Sequence, residues 1–222
     1  MLGLVNYRES AWFVRKVIWS KIEVPTDFNI WGGILAFFTL VYLTMNYLYS
    51  QAPFPLGFDA RNYYVNISKL IADAQGLIEG FQPYAWSLVM STGYIAFDSP
   101  EITMFISTLG GILALFAIYE LSHRYLRVDS NLSWFVVLLV MVSPTITNHW
   151  MIEFKTDLAL MFFQLTILNL MMWWLFVEKK VKAKKPFLLE SKNDLLVIIL
   201  LGVLLGYCLA ICLLYTSPSP RD

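Results

Sequence analysis

Residues 102–119 read ITMFISTLGGILALFAIY, and Glu120-Leu121-Ser122-His123-Arg124-Tyr125-Leu126-Arg127 follows at once. An uncharged run of this length, closed by basic residues, sets the fold. About 20 apolar residues cross about 30 Å of hydrocarbon as a helix. Within the bilayer a helix satisfies every backbone N–H and C=O internally, as an irregular chain cannot. The same pattern recurs on both sides of this stretch. Phe28–Tyr49 precedes it, and Leu132–Asn148, Leu158–Val177 and Leu195–Ile211 follow. The reading is an all-α, polytopic membrane protein with about five transmembrane helices. The whole composition agrees. Hydrophobic residues make up 58%, charged residues 14%, and mean hydropathy is +0.61. Soluble domains carry roughly 25% charged residues. The 16 Lys+Arg balance 16 Asp+Glu, which argues against nucleic acid as a partner. The 2 cysteines build neither a disulfide framework nor a metal-ligand spacing.

Loop charges orient the spans, because basic residues collect on the cytoplasmic side. Arg8, Arg15, Lys16 and Lys21 precede the first span. Arg124 and Arg127 follow the second, and Lys179, Lys180, Lys182, Lys184 and Lys185 follow the fourth. Five spans place all three clusters on one side and leave Arg61, Lys69 and Lys155 on the other. The uncharged run Gly80–Phe97 would scramble that bias if it crossed. It therefore reads as a re-entrant or interface-lying segment, with Pro83 and Gly93 interrupting its helix. Residues 1–27 form a cytoplasmic N-terminal surface segment, in which Tyr7–Glu23 is either a helix lying on the bilayer or a short soluble lead-in. Cys212–Asp222 reads CLLYTSPSPRD, which resembles a translated sequencing adapter. On that expectation the natural sequence given ends at Ile211, and residues 28–211 are the N-terminal part of a longer membrane domain.

The unusual chemistry lies outside the spans. Between Ser50 and Glu101, apolar residues recur at Tyr63, Tyr64, Ile67, Leu70, Ile71, Ala74 and Leu77, opposite Asn62, Asn66, Lys69 and Asp73. This helical spacing predicts an amphipathic in-plane helix on the outer membrane face. Asp59 stands just before it. One reading makes Asp59 a helix N-cap. The other joins it to Arg61, Asn62, Tyr63 and Tyr64 as a cluster suited to a phosphate and a sugar. Phe81-Gln82-Pro83-Tyr84-Ala85-Trp86 supplies a second polar and aromatic edge, or alternatively interface anchors in Tyr84 and Trp86. The loop 147–157 carries His149, Glu153, Lys155 and Asp157. Asp157 is either a helix start or a site residue, and Glu153–Lys155 is either a surface ion pair or part of the site. His123 and His149 fall on opposite sides, so they share no metal.

Three patterns resemble the GT-C superfamily of glycosyltransferases, in the group that holds protein O-mannosyltransferases and aminoarabinose transferases. Asp59-Ala60-Arg61-Asn62-Tyr63 is similar to the family's Asp-Glu-x-x-Tyr. Gly80-Phe81-Gln82-Pro83-Tyr84-Ala85-Trp86 is similar to its Pro-containing segment. Ser143-Pro144, with Thr156-Asp157-Leu158-Ala159-Leu160, is similar to its Ser-Pro and Thr-Asp region. Ala60 stands in place of the second acid, and Gln82 where some members carry Lys. The resemblance implies transfer of a sugar from a polyprenyl phosphate to a protein, lipid or glycan acceptor on the non-cytoplasmic side, with inversion. It makes Asp59 the base, sets Arg61 or Lys155 against the phosphate, has Tyr63 position the donor or Asp59, makes Asn62, Gln82 and Tyr84 substrate-binding, and gives Asp157 a role toward the acceptor or an ion. A divalent metal is left open, since branches of the group differ. The implied location is the plasma membrane of a prokaryote or the endoplasmic reticulum of a eukaryote, with the N-terminus cytoplasmic. The alternative from the residues alone is a multi-pass transporter or flippase subunit. Such proteins place charge within spans, whereas here the acids gather in loops.

Overall fold

The computed structural model describes residues 29–50, 64–78, 85–148, 156–178 and 192–211. Every regular element among them is a helix. In chain order these are α1 (Ile30–Ser50), α2 (Val65–Ala74), α3 (Ala85–Phe97), α4 (Pro100–Glu120), α5 (Ser130–Met141), α6 (Pro144–Asn148), α7 (Asp157–Trp173) and α8 (Lys192–Ile211). A π-helical turn extends α4 over Leu121–Tyr125 and another extends α7 over Trp174–Glu178. Among the described residues, four stretches are long and apolar enough to cross a membrane: Ile30–Tyr49, Pro100–Tyr125, Asp157–Phe176 and Asp194–Ile211. The chain is thus an all-α protein with the helices of a multi-pass membrane protein.

The boundaries follow from local chemistry. Asn29 Oδ1 accepts from the Trp31 N–H at 2.9 Å and starts α1. Ser99 caps α4 by accepting from the Ile102 N–H at 3.2 Å, and Pro100 occupies the first turn, where its missing N–H costs nothing. Asp129 caps α5 through the N–H groups of Asn131 and Leu132.

The third expected span is not one helix. Leu132–Asn148 reads as continuous, but the structure stops α5 at Met141 and restarts as α6 at Pro144. Pro144 has no N–H for the ladder, and its ring crowds the carbonyl four residues back. The break is closed locally. The Ser143 N–H donates to Val140 O at 3.2 Å, and Thr147 Oγ1 donates to Met141 O at 3.1 Å.

The Gly80–Phe97 expectation also changes in detail. Its described part is α3, 13 residues long, or roughly 20 Å, which is short of a crossing. Gly93 does not interrupt this helix. It lies against α4, where a Cβ would come within 2.6 Å of Thr103 N. Gly93 is there because two helix backbones touch. The amphipathic helix is present as α2, with Asn66, Lys69 and Asp73 exposed as expected. Its buried face is Val65, Ile67, Ser68 and Ile71, while Leu70 is 47% exposed. That face packs on α3 and α4: Val65 clusters with Met104, and Tyr94 packs against them. Of the expected apolar stripe the protein covers Tyr64, Ile67 and Ile71, and Leu70, Ala74 and Leu77 stay exposed.

The helices run alternately. At one end Tyr42 Oη lies 3.0 Å from Thr147 Oγ1, and the Tyr47 ring meets Phe105 edge-on at 5.7 Å. At the other end Tyr119 Oη lies 2.8 Å from Ser130 Oγ, and Trp174 Nε1 donates to Asp194 Oδ1 at 3.0 Å. The end of α1, the starts of α4 and α7 and the ends of α6 and α8 therefore share one end of the bundle. The central contact is α4 on α7. Gly110 admits it: a Cβ there would lie 3.1 Å from Ala159 Cα. Further along, Asn169 Nδ2 donates to Ala117 O at 2.9 Å. Leu115, Ile118, Val137, Met141 and Leu158 fill the core beside this contact. Small residues matter here because lipid tails are as apolar as leucine, so close packing and hydrogen bonds hold the helices together.

Candidate functional site

Of the residues singled out in the sequence, Asp59, Arg61, Asn62, Tyr63, Gln82, Tyr84 and Lys155 lie outside the described residues, as do His149 and Glu153. Asp157 is described. It is exposed and opens the first turn of α7. The partial positive charge of a helix N-terminus favours a carboxylate there. The helix-start reading of Asp157 is therefore observed. Thr156 before it is buried but forms no side-chain cap.

What the structure does place is where the candidate segments join the bundle. Gln82 and Tyr84 lead in sequence into α3. Lys155 leads into α7. These two helix starts are neighbours. Trp86, in the first turn of α3, and Ala159, in the first turn of α7, both press on Gly110, with Trp86 Cζ2 3.1 Å from a Cβ built there. Trp86, Met90, Ala159 and Ile211 form one buried cluster, and Ala85, Phe163 and Tyr207 pack against it. The Trp86 ring meets Phe163 edge-on at 6.3 Å, and Phe163 lies 4.7 Å from the Tyr207 ring. Tyr207 Oη donates to Ala85 O at 3.0 Å. Trp86 is 6% exposed, so it is a packing residue of the bundle and not an interface anchor.

The segment containing Asp59 joins elsewhere. It leads into α2, which starts beside Tyr94 and Met104. Tyr94 lies eight residues beyond Trp86 on α3, roughly 12 Å along the helix. A groove of about 550 Å³ runs between the end of α2 and α3, lined by Ile71, Asp73, Gln75, Leu88, Tyr94 and Asp98 among others. Burial raises the Tyr94 phenol above its usual range, and the carboxylates of Glu101, Asp73 and Asp98 push it the same way. Tyr94 is therefore a neutral hydroxyl at physiological pH. No periodic or motif signal in the sequence points to this groove or to Tyr207. The groove forms between two consecutive helices, whereas Tyr207 meets Ala85 from 122 positions away.

The end of the bundle with the π-helical turns has a different character. Arg124 pairs with Glu120 at 2.8 Å, and His123 Nδ1 lies 3.0 Å from Val128 O while its ring stacks on Tyr119. The His123–Val128 contact closes the turn between α4 and α5, and the Arg124–Glu120 pair runs along the end of α4.

The chain matches no family model, and no curated protein or solved structure matches it significantly.

Proposed function

We propose that this protein is a membrane glycosyltransferase that moves a sugar from a polyprenyl phosphate to an acceptor at the non-cytoplasmic face. The observation that carries the reading is the convergence of the α3 and α7 starts around Gly110. It makes neighbours of the points where two of the three candidate segments enter the bundle. The third lies within reach. Five residues of chain separate Asp59 from Tyr64, and an extended chain of five residues spans about 17 Å. The start of α2 is roughly 12 Å along α3 from the other two.

The chemistry asks little of the protein. A phosphate on a lipid carrier leaves without protonation, so a single base suffices. Glycosidases, with a poorer leaving group, employ two carboxylates. Asp59 accepts the proton of the acceptor hydroxyl as its oxygen attacks the anomeric carbon, with inversion. Arg61 or Lys155 offsets charge on the departing phosphate. Tyr63, Asn62, Gln82 and Tyr84 hold the donor, and Asp157 faces the acceptor or an ion. The donor enters from the bilayer, and the acceptor is a protein, lipid or glycan. The N-terminus is cytoplasmic, in a prokaryotic plasma membrane or in the endoplasmic reticulum.

In the full-length protein, Asp59→Asn is expected to abolish transfer of labelled sugar from a polyprenyl phosphate while membrane insertion is retained. Undiminished transfer removes Asp59 from the mechanism. The second reading, a transporter or flippase subunit, draws on Asn169. This polar side chain lies within a span, and its Oδ1 has no partner among the described residues. Solute uptake by vesicles without sugar transfer would favour it.

A further inference from the structure

We propose that Tyr207, on α8, is a positioning residue that fixes the start of α3, the helix into which Gln82 and Tyr84 lead in sequence. The α3 start is held from three sides. Gly110 of α4 lets the Trp86 ring sit against the backbone, Phe163 of α7 meets that ring edge-on, and Tyr207 of α8 supplies a hydrogen bond to Ala85 O. The first two contacts are apolar ring packing. The third is directional: a hydroxyl donating at 3.0 Å to one carbonyl sets both height and rotation. Its ring is itself fixed on Phe163 at 4.7 Å, so the hydroxyl has little freedom of its own. The bond joins residues 122 positions apart. Among the described residues, no other side-chain hydrogen bond ties α8 to α3.

The consequence is chemical. Gln82 and Tyr84 stand one to three residues before Ala85 in sequence. Displacing a binding group by about 1 Å is enough to cost substantial rate or affinity. Its consequence for catalysis rests on the glycosyltransferase reading; the clamp itself does not.

Tyr207→Phe in the full-length protein keeps the ring and removes only the hydroxyl. Losing one neutral hydrogen bond corresponds to about a fivefold effect. Donor KM is therefore expected to rise about fivefold while kcat changes by less than about twofold. A merely structural role would lower the yield of folded protein and leave KM alone. Independently of activity, a cysteine at Ala85→Cys in a background lacking other cysteines reports on the helix start. Its reaction with a thiol reagent is expected to be several-fold faster when Tyr207→Phe is added. Unchanged labelling overturns the clamp whatever the kinetics show. If the native protein transfers no sugar, the glycosyltransferase reading falls, and the labelling rates alone decide the clamp.

Discussion

α4 and α8 are helices of nearly equal length and comparable apolar character, yet they pack differently. In α4, 50% of the most apolar window is buried; in α8, 22%. The difference lies in small residues and their neighbours. Thr103, Ser107, Thr108, Gly110, Gly111 and Ala114 make a buried strip on α4 that receives α3 on one side and α7 on the other. α8 also carries glycines, Gly202 and Gly206, but a Cβ on either would meet no other helix within 4 Å among the described residues. Apolarity puts a helix in the bilayer, and close backbone approach decides which helices meet there.

Substituting glycines gives the largest effects. Gly93→Val would drive two methyl groups into Thr103 backbone, and Gly110→Val would wedge α4 from α7. Each is expected to cost about 3 kcal/mol, the upper part of the range for overpacking, read as a fall in Tm in detergent. The same change at Gly202 should stay within about 0.5 kcal/mol, as for exposed sites. Equal losses at the two kinds of glycine would erase the contrast between α4 and α8.

Asn169→Leu is the next in size. It removes the α7-to-α4 hydrogen bond to Ala117 O, and polar contacts between membrane helices average about 0.6 kcal/mol, with a maximum near 1.7. The unpartnered Oδ1 of Asn169 makes the lower figure the expected one. A thermal shift of a few degrees or less in the same detergent assay checks it. Glu120→Gln has the smallest effect. Its partner Arg124 and Glu120 itself are both partly exposed, so a loss below about 0.5 kcal/mol is expected, shrinking further with added salt.

The spans were legible because charge is so costly in hydrocarbon that uncharged runs mark them directly. Phe28–Tyr49 corresponds to Ile30–Ser50, Leu158–Val177 to Asp157–Trp173 with its π turn, and Leu195–Ile211 to Lys192–Ile211. The polar face of α2 was legible for the same reason that any solvated helix face is. The break at Val142–Ser143 was visible only as Pro144, and hydropathy averages over a single residue. The role of Gly93 was misread because a glycine looks the same in sequence whether it breaks a helix or admits a neighbour. Trp86 was left between a site edge and an interface anchor, since nothing local reports that α7 and α8 bury it. In the candidate site, Asp157 was legible as a helix start, whereas the meeting of the α3 and α7 starts depends on Gly110, 49 residues from Ala159 and 24 from Trp86.

The central claim is that an acid at position 59 works on the membrane face opposite the Leu121–Asp129 turn. Single cysteines at Asp59→Cys and Arg127→Cys, in protein freed of other cysteines, can be treated with a membrane-impermeant maleimide in sealed vesicles of known orientation. Labelling of position 59 from the non-cytoplasmic side, and of position 127 only from the cytoplasmic side, is the predicted result. Labelling of both positions from the same side would contradict it.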